Sequence, residues 1–385
     1  MASRFSSSQF KNFTLATAAN FFFFCNFSSF FLLPIYIKDL GGNEANIGFI
    51  MGSFGITSLG AIPFVAYLVD KYGRRRFMLF GYALMFVATL SYLFISQLSP
   101  VFYLLRFVQG VSFAFSFTAA STFVTDYIPS EKRAEGLGIF SAFTIASYAI
   151  GPSLGELVIE LFGFYSFFIY ASFFSLIAFV LTIFTRDGNF IRSSDRYGLG
   201  FFRLIASKRY AFILVSNLIL AGGLGAILNF VATFLRSKGL AAFYFFLTYT
   251  IAVTAVRIFG GRISDKLGRK VIASPCLLAV SISLAAMYFV ESPLSAVLIS
   301  LFFSIGYGFL YPTLSALVID KAGSDERGKA MGAFNASYSL GINFLAFPLG
   351  LIARDFGYEI MYFVTGCMVF LGFILFTFFE PDSES

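Results

Sequence analysis

Residues 70–75 read Asp70-Lys71-Tyr72-Gly73-Arg74-Arg75, and residues 265–270 read Asp265-Lys266-Leu267-Gly268-Arg269-Lys270. Both hexapeptides place an acid, a Lys, a Gly and two cations in the same order, half a chain apart. Three further matches share nearly the same offset. Asp126, Arg133 and Gly138 recur as Asp320, Arg327 and Gly332. Ser99-Pro100 recurs as Ser292-Pro293, and Phe162-Gly163-Phe164 as Phe356-Gly357-Tyr358. Any one match could be chance, but the shared order and offset point to a duplicated unit. The halves are residues 1–185 and 210–385, joined by a polar, charged segment at 186–209 with an amphipathic surface helix expected around Phe201 to Ile205.

Long apolar stretches lie between the motifs. They run at 12–37, 45–68, 77–97, 100–125, 136–158, 164–185, 210–235, 241–261, 271–290, 294–318, 330–353 and 359–379, and are numbered spans 1–12 below. Each has about the 20 residues that a helix needs to cross a bilayer. Only 12% of residues are charged, against roughly 25% in soluble domains, while 58% are hydrophobic. The predicted fold is therefore an all-α integral membrane protein of twelve transmembrane helices in two six-helix repeats. Six is even, so both repeats enter the membrane from the same side and are parallel. The first apolar stretch is too long for a cleavable signal peptide and is expected to stay in the membrane.

Lys and Arg set the orientation. With the N-terminus inside, the inner segments carry 21 of them and the outer loops 4. That bias predicts a multi-pass plasma-membrane protein with both termini cytoplasmic. It also accounts for the net charge of +7 as a lipid-facing feature that needs no nucleic acid. The chain has no His, which excludes a Ser-His-Asp triad, His-ligated zinc and a His proton relay. Cys25, Cys276 and Cys367 stand at no metal-ligand spacing and read as small buried apolar residues. No metal or cofactor is expected, and no phosphate-binding Gly-rich loop is present to couple ATP hydrolysis.

The repeated hexapeptide resembles the signature of the major facilitator superfamily between spans 2 and 3, Gly-x-x-x-Asp-Arg/Lys-x-Gly-Arg-Arg/Lys. Ala66 stands in place of the leading Gly in the first copy, whereas Gly261 keeps it in the second. The resemblance covers essentially the whole chain. It implies the superfamily's fold and alternating access about an axis between the halves. It also implies gating roles for Asp70, Lys71, Gly73, Arg74 and Arg75 and for Gly261, Asp265, Lys266, Gly268 and Arg269, with Asp70 and Asp265 holding partners across the interface. Asp126 with Arg133, and Asp320 with Arg327, are expected to join this charge network, the alternative being ordinary helix capping.

Arg106-Phe107-Val108-Gln109-Gly110 resembles the family's Arg-x-x-Gln-Gly motif of span 4. A cation inside a span is costly, so Arg106 either meets substrate or an acid, or snorkels to the outer headgroups. Arg257 in span 8 likewise either snorkels inward or binds an anionic substrate group. Gly151-Pro152-Ser153-Leu154-Gly155 partly matches the span 5 motif of antiporters and kinks that span. Its fit to the Gly-x-Ser-x-Gly of serine hydrolases is accidental, since no His can activate Ser153. Glu156, near the outer end of span 5, is the candidate for coupling to a proton or cation, or else a solvated rim residue.

Other polar residues deep in spans are Asn20, Asn26, Asn229, Tyr307, Tyr311, Asn335, Tyr338 and Asn343. In the family, spans 1, 4, 7 and 10 line the cavity. That singles out Asn20, Asn26, Asn229, Tyr307 and Tyr311, with Arg106, Gln109 and Arg257, as substrate-binding candidates; interhelical glue is the alternative for several. The run Phe21 to Phe24 reads as lipid-facing or packing surface.

The expected function is secondary active transport of a small organic solute, amphipathic or anionic, by an antiporter or symporter acting as a monomer. A facilitative uniporter and a non-transporting membrane receptor are the alternatives. A membrane enzyme is disfavoured by the missing His, acid clusters and Cys pairs.

Overall fold

The computed structural model describes residues 7–129, 132–187, 208–322 and 326–380. Side chains are described for all of these except 134, 208–209, 259–267 and 327–328. The surface helix expected around Phe201 to Ile205 lies outside the described residues.

Every regular element among the described residues is helical. Ten helices are long and apolar enough to cross a bilayer, and Phe243–Ile258 is a shorter apolar helix. One of the ten, Glu135–Ile183, holds spans 5 and 6 in a single run broken at Gly163, where φ is 76° and ψ 179°. All twelve predicted spans are therefore helical. Span 8 is the helix Phe243–Leu267, described with its side chains as far as Ile258.

The turns explain why the motifs recur. Six glycines have positive φ: Gly41, Gly73, Gly163, Gly239, Gly268 and Gly357. They form three pairs in equivalent connections of the two halves. Gly73 (φ 102°, ψ 156°) and Gly268 (φ 94°, ψ 140°) start spans 3 and 9, while Gly163 and Gly357 (φ 89°, ψ 165°) start spans 6 and 12. This corner of the Ramachandran map is essentially closed to residues with a Cβ. It lets one helix end and the next begin within a single residue, leaving little backbone unpaired.

The chain divides into two compact units, Met1–Gly41 with Ile56–Asp195, and Gly42–Gly55 with Arg196–Ser385. In the first, spans 1 and 3 pack along the joined helix of spans 5 and 6, and span 3 also packs on span 4. The second repeats the scheme, with span 7 on spans 11 and 12 and span 9 on spans 10 and 12. Lipid tails are as apolar as the helices, so packing and interhelical hydrogen bonds, not burial from water, hold such units together. Asn26 Nδ2 donates to Ala171 O (2.7 Å) and Thr89 Oγ1 (3.1 Å), tying span 1 to spans 6 and 3. Asn20 Nδ2 donates to Thr144 Oγ1 at 2.8 Å in span 5, and Asn217 Nδ2 donates to Ser337 Oγ at 2.8 Å in span 11. The last two bonds join equivalent helix pairs of the two repeats, span 1 to span 5 and span 7 to span 11.

Phe23 and Phe24 belong to the core of the first unit, so the central part of the Phe run is packing surface. Gly151 faces Cys25 and Ser28 of span 1, and Tyr170 Oη donates to the carbonyls of Ile150 (3.2 Å) and Gly151 (3.4 Å) beside the Pro152 kink. The reading of three buried cysteines needs correction. Cys25 is buried and Cys276 half-buried, but Cys367 is exposed on an apolar helix, where a thiol behaves as one more small apolar group.

Gly42–Gly55, the opening of span 2, belongs to the second unit. Its glycines permit a close crossing with span 11: a Cβ on Gly48 would collide with the Ala346 carbonyl and lie 3.1 Å from Gly350 Cα. A Cβ on Gly350 would lie 2.7 Å from Glu44 O. Exposed Gly60, on the same helix, has nothing within 4 Å of such a Cβ.

Gly48→Ala is therefore expected to destabilise the protein by about 1–3 kcal/mol through overpacking, and Gly60→Ala to leave it unchanged. Thermal unfolding in detergent, followed by thiol-reactive dye labelling of buried Cys25 in a Cys367→Ser background, checks this. Equal melting temperatures for the two variants would contradict the crossing.

Candidate functional site

The end of each unit that carries the repeated hexapeptide is closed by a clamp. In the first unit, Arg74 is only 3% exposed; its Nε lies 2.9 Å from Asp126 Oδ2 and its Nη2 3.4 Å from Asp70 Oδ1. Arg75 then reaches the C-terminus of span 6, donating to Thr182 O (3.3 Å) and Ile183 O (2.7 Å), while its backbone N–H donates to Asp187 Oδ1 at 2.9 Å. In the second unit Arg269 pairs with Asp320, and Lys270 Nζ donates to Glu380 O (2.6 Å) at the C-terminus of span 12. A cation is favoured where a helix ends in unpaired carbonyls. Both copies thus join three helices with adjacent basic residues, one taking the acid that ends span 4 or 10 and the other the end of span 6 or 12.

Lys71 is exposed with its ammonium over the rings of Tyr67 (5.5 Å) and Tyr72 (5.0 Å). Arg133 is exposed at the start of span 5 and makes no ion pair among the described residues. The side chains of Asp265, Lys266 and Arg327, and the surroundings of Gly261, lie outside the described residues. Glu380, missed by the sequence reading, is buried against Lys321; burial pushes its carboxyl above the usual range while the Lys321 ammonium pulls the other way.

Arg106 is 4% exposed, so it does not snorkel. Its Nη1 donates to Gln109 Oε1 at 3.1 Å, and its guanidinium lies 6.0 Å from the Phe30 ring. Asn20 and Asn26 use their amide N–H groups in the interhelical bonds described above, while their Oδ1 atoms are buried without a hydrogen-bond partner among the described residues. Asn229 Nδ2 reaches Ile342 O at 3.4 Å. Glu156 is half-buried, and Gly155 packs against Phe167 and Leu32.

The second unit gathers the other candidates. Arg257 lies 5.5 Å over the ring of Tyr311, whose Oη donates to Asn335 Oδ1 at 3.3 Å. The hydroxyls of Tyr307 and Tyr338 are hydrogen-bonded, the Tyr311 and Tyr338 rings lie 5.0 Å apart, and the Tyr307 ring lies 6.1 Å from that of Tyr249. Thr250, Thr254 and Arg257 follow one another at one-turn spacing on span 8, and Thr250 Oγ1, Thr254 Oγ1 and Arg257 Nε are all buried without a hydrogen-bond partner among the described residues. Buried polar groups are nearly always paired, and these three share one face of span 8. Tyr311, Tyr338 and Arg257 are part-exposed and Asn335 is exposed. A polar face of this kind is not tolerated by lipid tails and must meet water or a ligand. The sequence reading named Arg257, Tyr307 and Tyr311 but missed Thr250 and Thr254. Their one-turn spacing ahead of Arg257 was the available signal.

The sequence profile of the family described as Major Facilitator Superfamily matches residues 15–346 and 248–385. Multidrug resistance protein 2 of Bacillus subtilis (strain 168) is 26% identical over 364 residues, covering 89% of this chain and 88% of its own. Quinolone resistance protein NorA of Staphylococcus aureus (strain Mu50) is 25% identical over 326 residues, 82% of each chain. The crystal structure of a point mutant of the nucleoside transporter NupG superposes with a TM-score of 0.81 over 94% of this chain and 98% of that one, at 16% identity, a likeness of fold.

The two clamps differ in burial: the Arg74 side chain is 4% exposed and that of Arg269 26%. Asp126→Asn should therefore destabilise by about 2 kcal/mol, since it leaves a buried guanidinium short of its acid, and Asp320→Asn by less than about 1 kcal/mol. Melting temperatures of the two variants check the order; the reverse ranking would contradict it.

Proposed function

Because the chain belongs to the Major Facilitator Superfamily, a family of membrane transporters, we propose that it is a secondary active transporter. It moves small organic solutes across the plasma membrane by alternating access, with both termini cytoplasmic. With no nucleotide-binding loop in the sequence, transport runs downhill or draws on an ion gradient, with Glu156 the candidate coupling acid in the second case. One charge moving through 100 mV supplies about 2.3 kcal/mol.

The observation that carries the reading is the orphaned face of span 8. Thr250, Thr254 and Arg257 offer two hydroxyls and a guanidinium N–H with no partner among the described residues, beside Tyr307, Tyr311 and Tyr338. A guanidinium flanked by aromatic rings suits a solute with an acceptor or anionic group on an aromatic body. The relatives named for multidrug and quinolone resistance support efflux of amphipathic aromatic compounds. The clamps brace each unit at its basic end, so that each moves as one body. Gln109 Nε2 of span 4 is likewise buried without a hydrogen-bond partner among the described residues, so Arg106 and Gln109 remain substrate-binding candidates.

Thermal stabilisation of the purified protein across a library of aromatic acids, bases and neutral amphipaths tests the site. A true ligand at a hundredfold excess over its Kd stabilises by about 2.7 kcal/mol. The expected hits carry an anionic or acceptor group, and Arg257→Gln and Thr254→Val lose the stabilisation without changing the melting temperature of the free protein. Hits that persist in both variants, or hits confined to cations, would sink this assignment.

A further inference from the structure

The first unit holds a cavity of about 570 Å³ between the start of span 1, the start of span 3 and the end of span 6, lined by Lys11, Arg75, Arg76, Ile183, Phe184, Thr185, Arg186 and Asp187. That volume lies within the roughly 300–1,000 Å³ of small-molecule sites. Its walls are fixed. Arg75 is held on the carbonyls of Thr182 and Ile183 (2.7 Å to the latter), and Asp187 takes the Arg75 N–H at 2.9 Å. The Arg186 N–H donates to Asn12 Oδ1 at 2.9 Å, its carbonyl accepts from Tyr127 Oη, and Thr185 is buried. Lys11, Arg76 and Arg186 are exposed toward this space, and their side chains make no ion pair among the described residues. Four cations thus face one carboxylate.

The repeat shows what is missing. The offset that carries Gly163 onto Gly357 carries Arg186 onto Glu380, and the offset that carries Gly73 onto Gly268 carries Arg76 onto Val271. In the second unit the equivalent corner supplies its own anion: Glu380 is buried against Lys321, and its carbonyl accepts from Lys270 at 2.6 Å. In the first unit a cation replaces that acid and a further cation replaces Val271.

The neighbouring surface indicates the source of the missing anion. Ile183 and Phe184 at the cavity wall are 45% and 61% exposed, and they continue an exposed apolar stripe down span 6 through Val180, Leu176 and Phe173. These residues follow at helical spacing, a face suited to acyl chains. We propose that this corner binds the phosphate headgroup of an anionic phospholipid, which takes the place that Glu380 fills in the second unit. The headgroup phosphate sits among Lys11, Arg76 and Arg186, and its acyl chains lie along the span 6 stripe.

The test uses the full chain in phosphatidylcholine nanodiscs with and without phosphatidylglycerol, read by thermal unfolding and by native mass spectrometry of retained lipid. Wild type should retain phosphatidylglycerol and unfold at higher temperature with it. The double variant Arg76→Gln/Arg186→Gln, which leaves the Arg75 clamp intact, should bind it at least tenfold more weakly. Arg186→Glu should be as stable in pure phosphatidylcholine as wild type is with phosphatidylglycerol, and should no longer respond to that lipid. Undiminished retention in the double variant would overturn the site. Equal stabilisation of detergent-solubilised wild type by inorganic phosphate or glycerol phosphate would overturn the lipid assignment in favour of a soluble anion.

Discussion

In a lipid environment a backbone N–H or C=O has no partner outside its own chain, and this constraint shapes the whole structure. It forces helices throughout, and it makes every interruption of a helix a problem to be solved locally. The solution is a single glycine in a backbone conformation closed to other residues, used at Gly73 and Gly163 and again at Gly268 and Gly357. The carbonyls left at the ends of spans 6 and 12 are met by Arg75 and Lys270. The preceding cations, Arg74 and Arg269, bind the acids that end spans 4 and 10. The repeated hexapeptide is thus a turn and a two-pronged clamp in one segment.

This explains what was legible in the sequence. The spans were readable because hydropathy reports the solvent directly. The repeat was readable wherever glycine geometry and the clamp fix both residue type and spacing. The Gly41 and Gly239 pair escaped because the helix that follows it is 29 residues long in the first half and 25 in the second, so that its offset is 198. Asn20 reads from the sequence as a solute contact or as interhelical glue; its amide N–H bonds Thr144, much as that of Asn217, which the sequence did not single out, bonds Ser337. A lone polar residue in a span carries no label separating glue from function; only its partner does. Thr250 and Thr254 were silent for a related reason. A threonine in a helix can satisfy its hydroxyl on its own backbone, as Thr122 and Thr125 do, so its type alone says nothing about exposure to a ligand.

The repeat also separates scaffold from chemistry. The positive-φ glycines, the clamps and the Asn20–Thr144 bond all have counterparts in the other half. Arg257 does not: the clamp offset places Ile62 opposite it, with Leu59 opposite Thr254. Arg186 faces Glu380 across the same comparison. Features demanded by folding in lipid are duplicated, while the orphaned donors of span 8 and the cation-rich corner of span 6 each occur once. Function is expected where a duplicated chain has broken its own symmetry.

The central claim is that the orphaned face of span 8 carries a solute across the membrane. Counterflow in proteoliposomes tests it most directly: vesicles loaded with unlabelled aromatic acid are diluted into labelled acid, and transient accumulation is followed. The account predicts accumulation with wild type and none above protein-free vesicles with Arg257→Gln reconstituted at equal density and equal melting temperature. A wild-type protein that binds the acid yet produces no counterflow, or an Arg257→Gln variant that matches wild type, would contradict it.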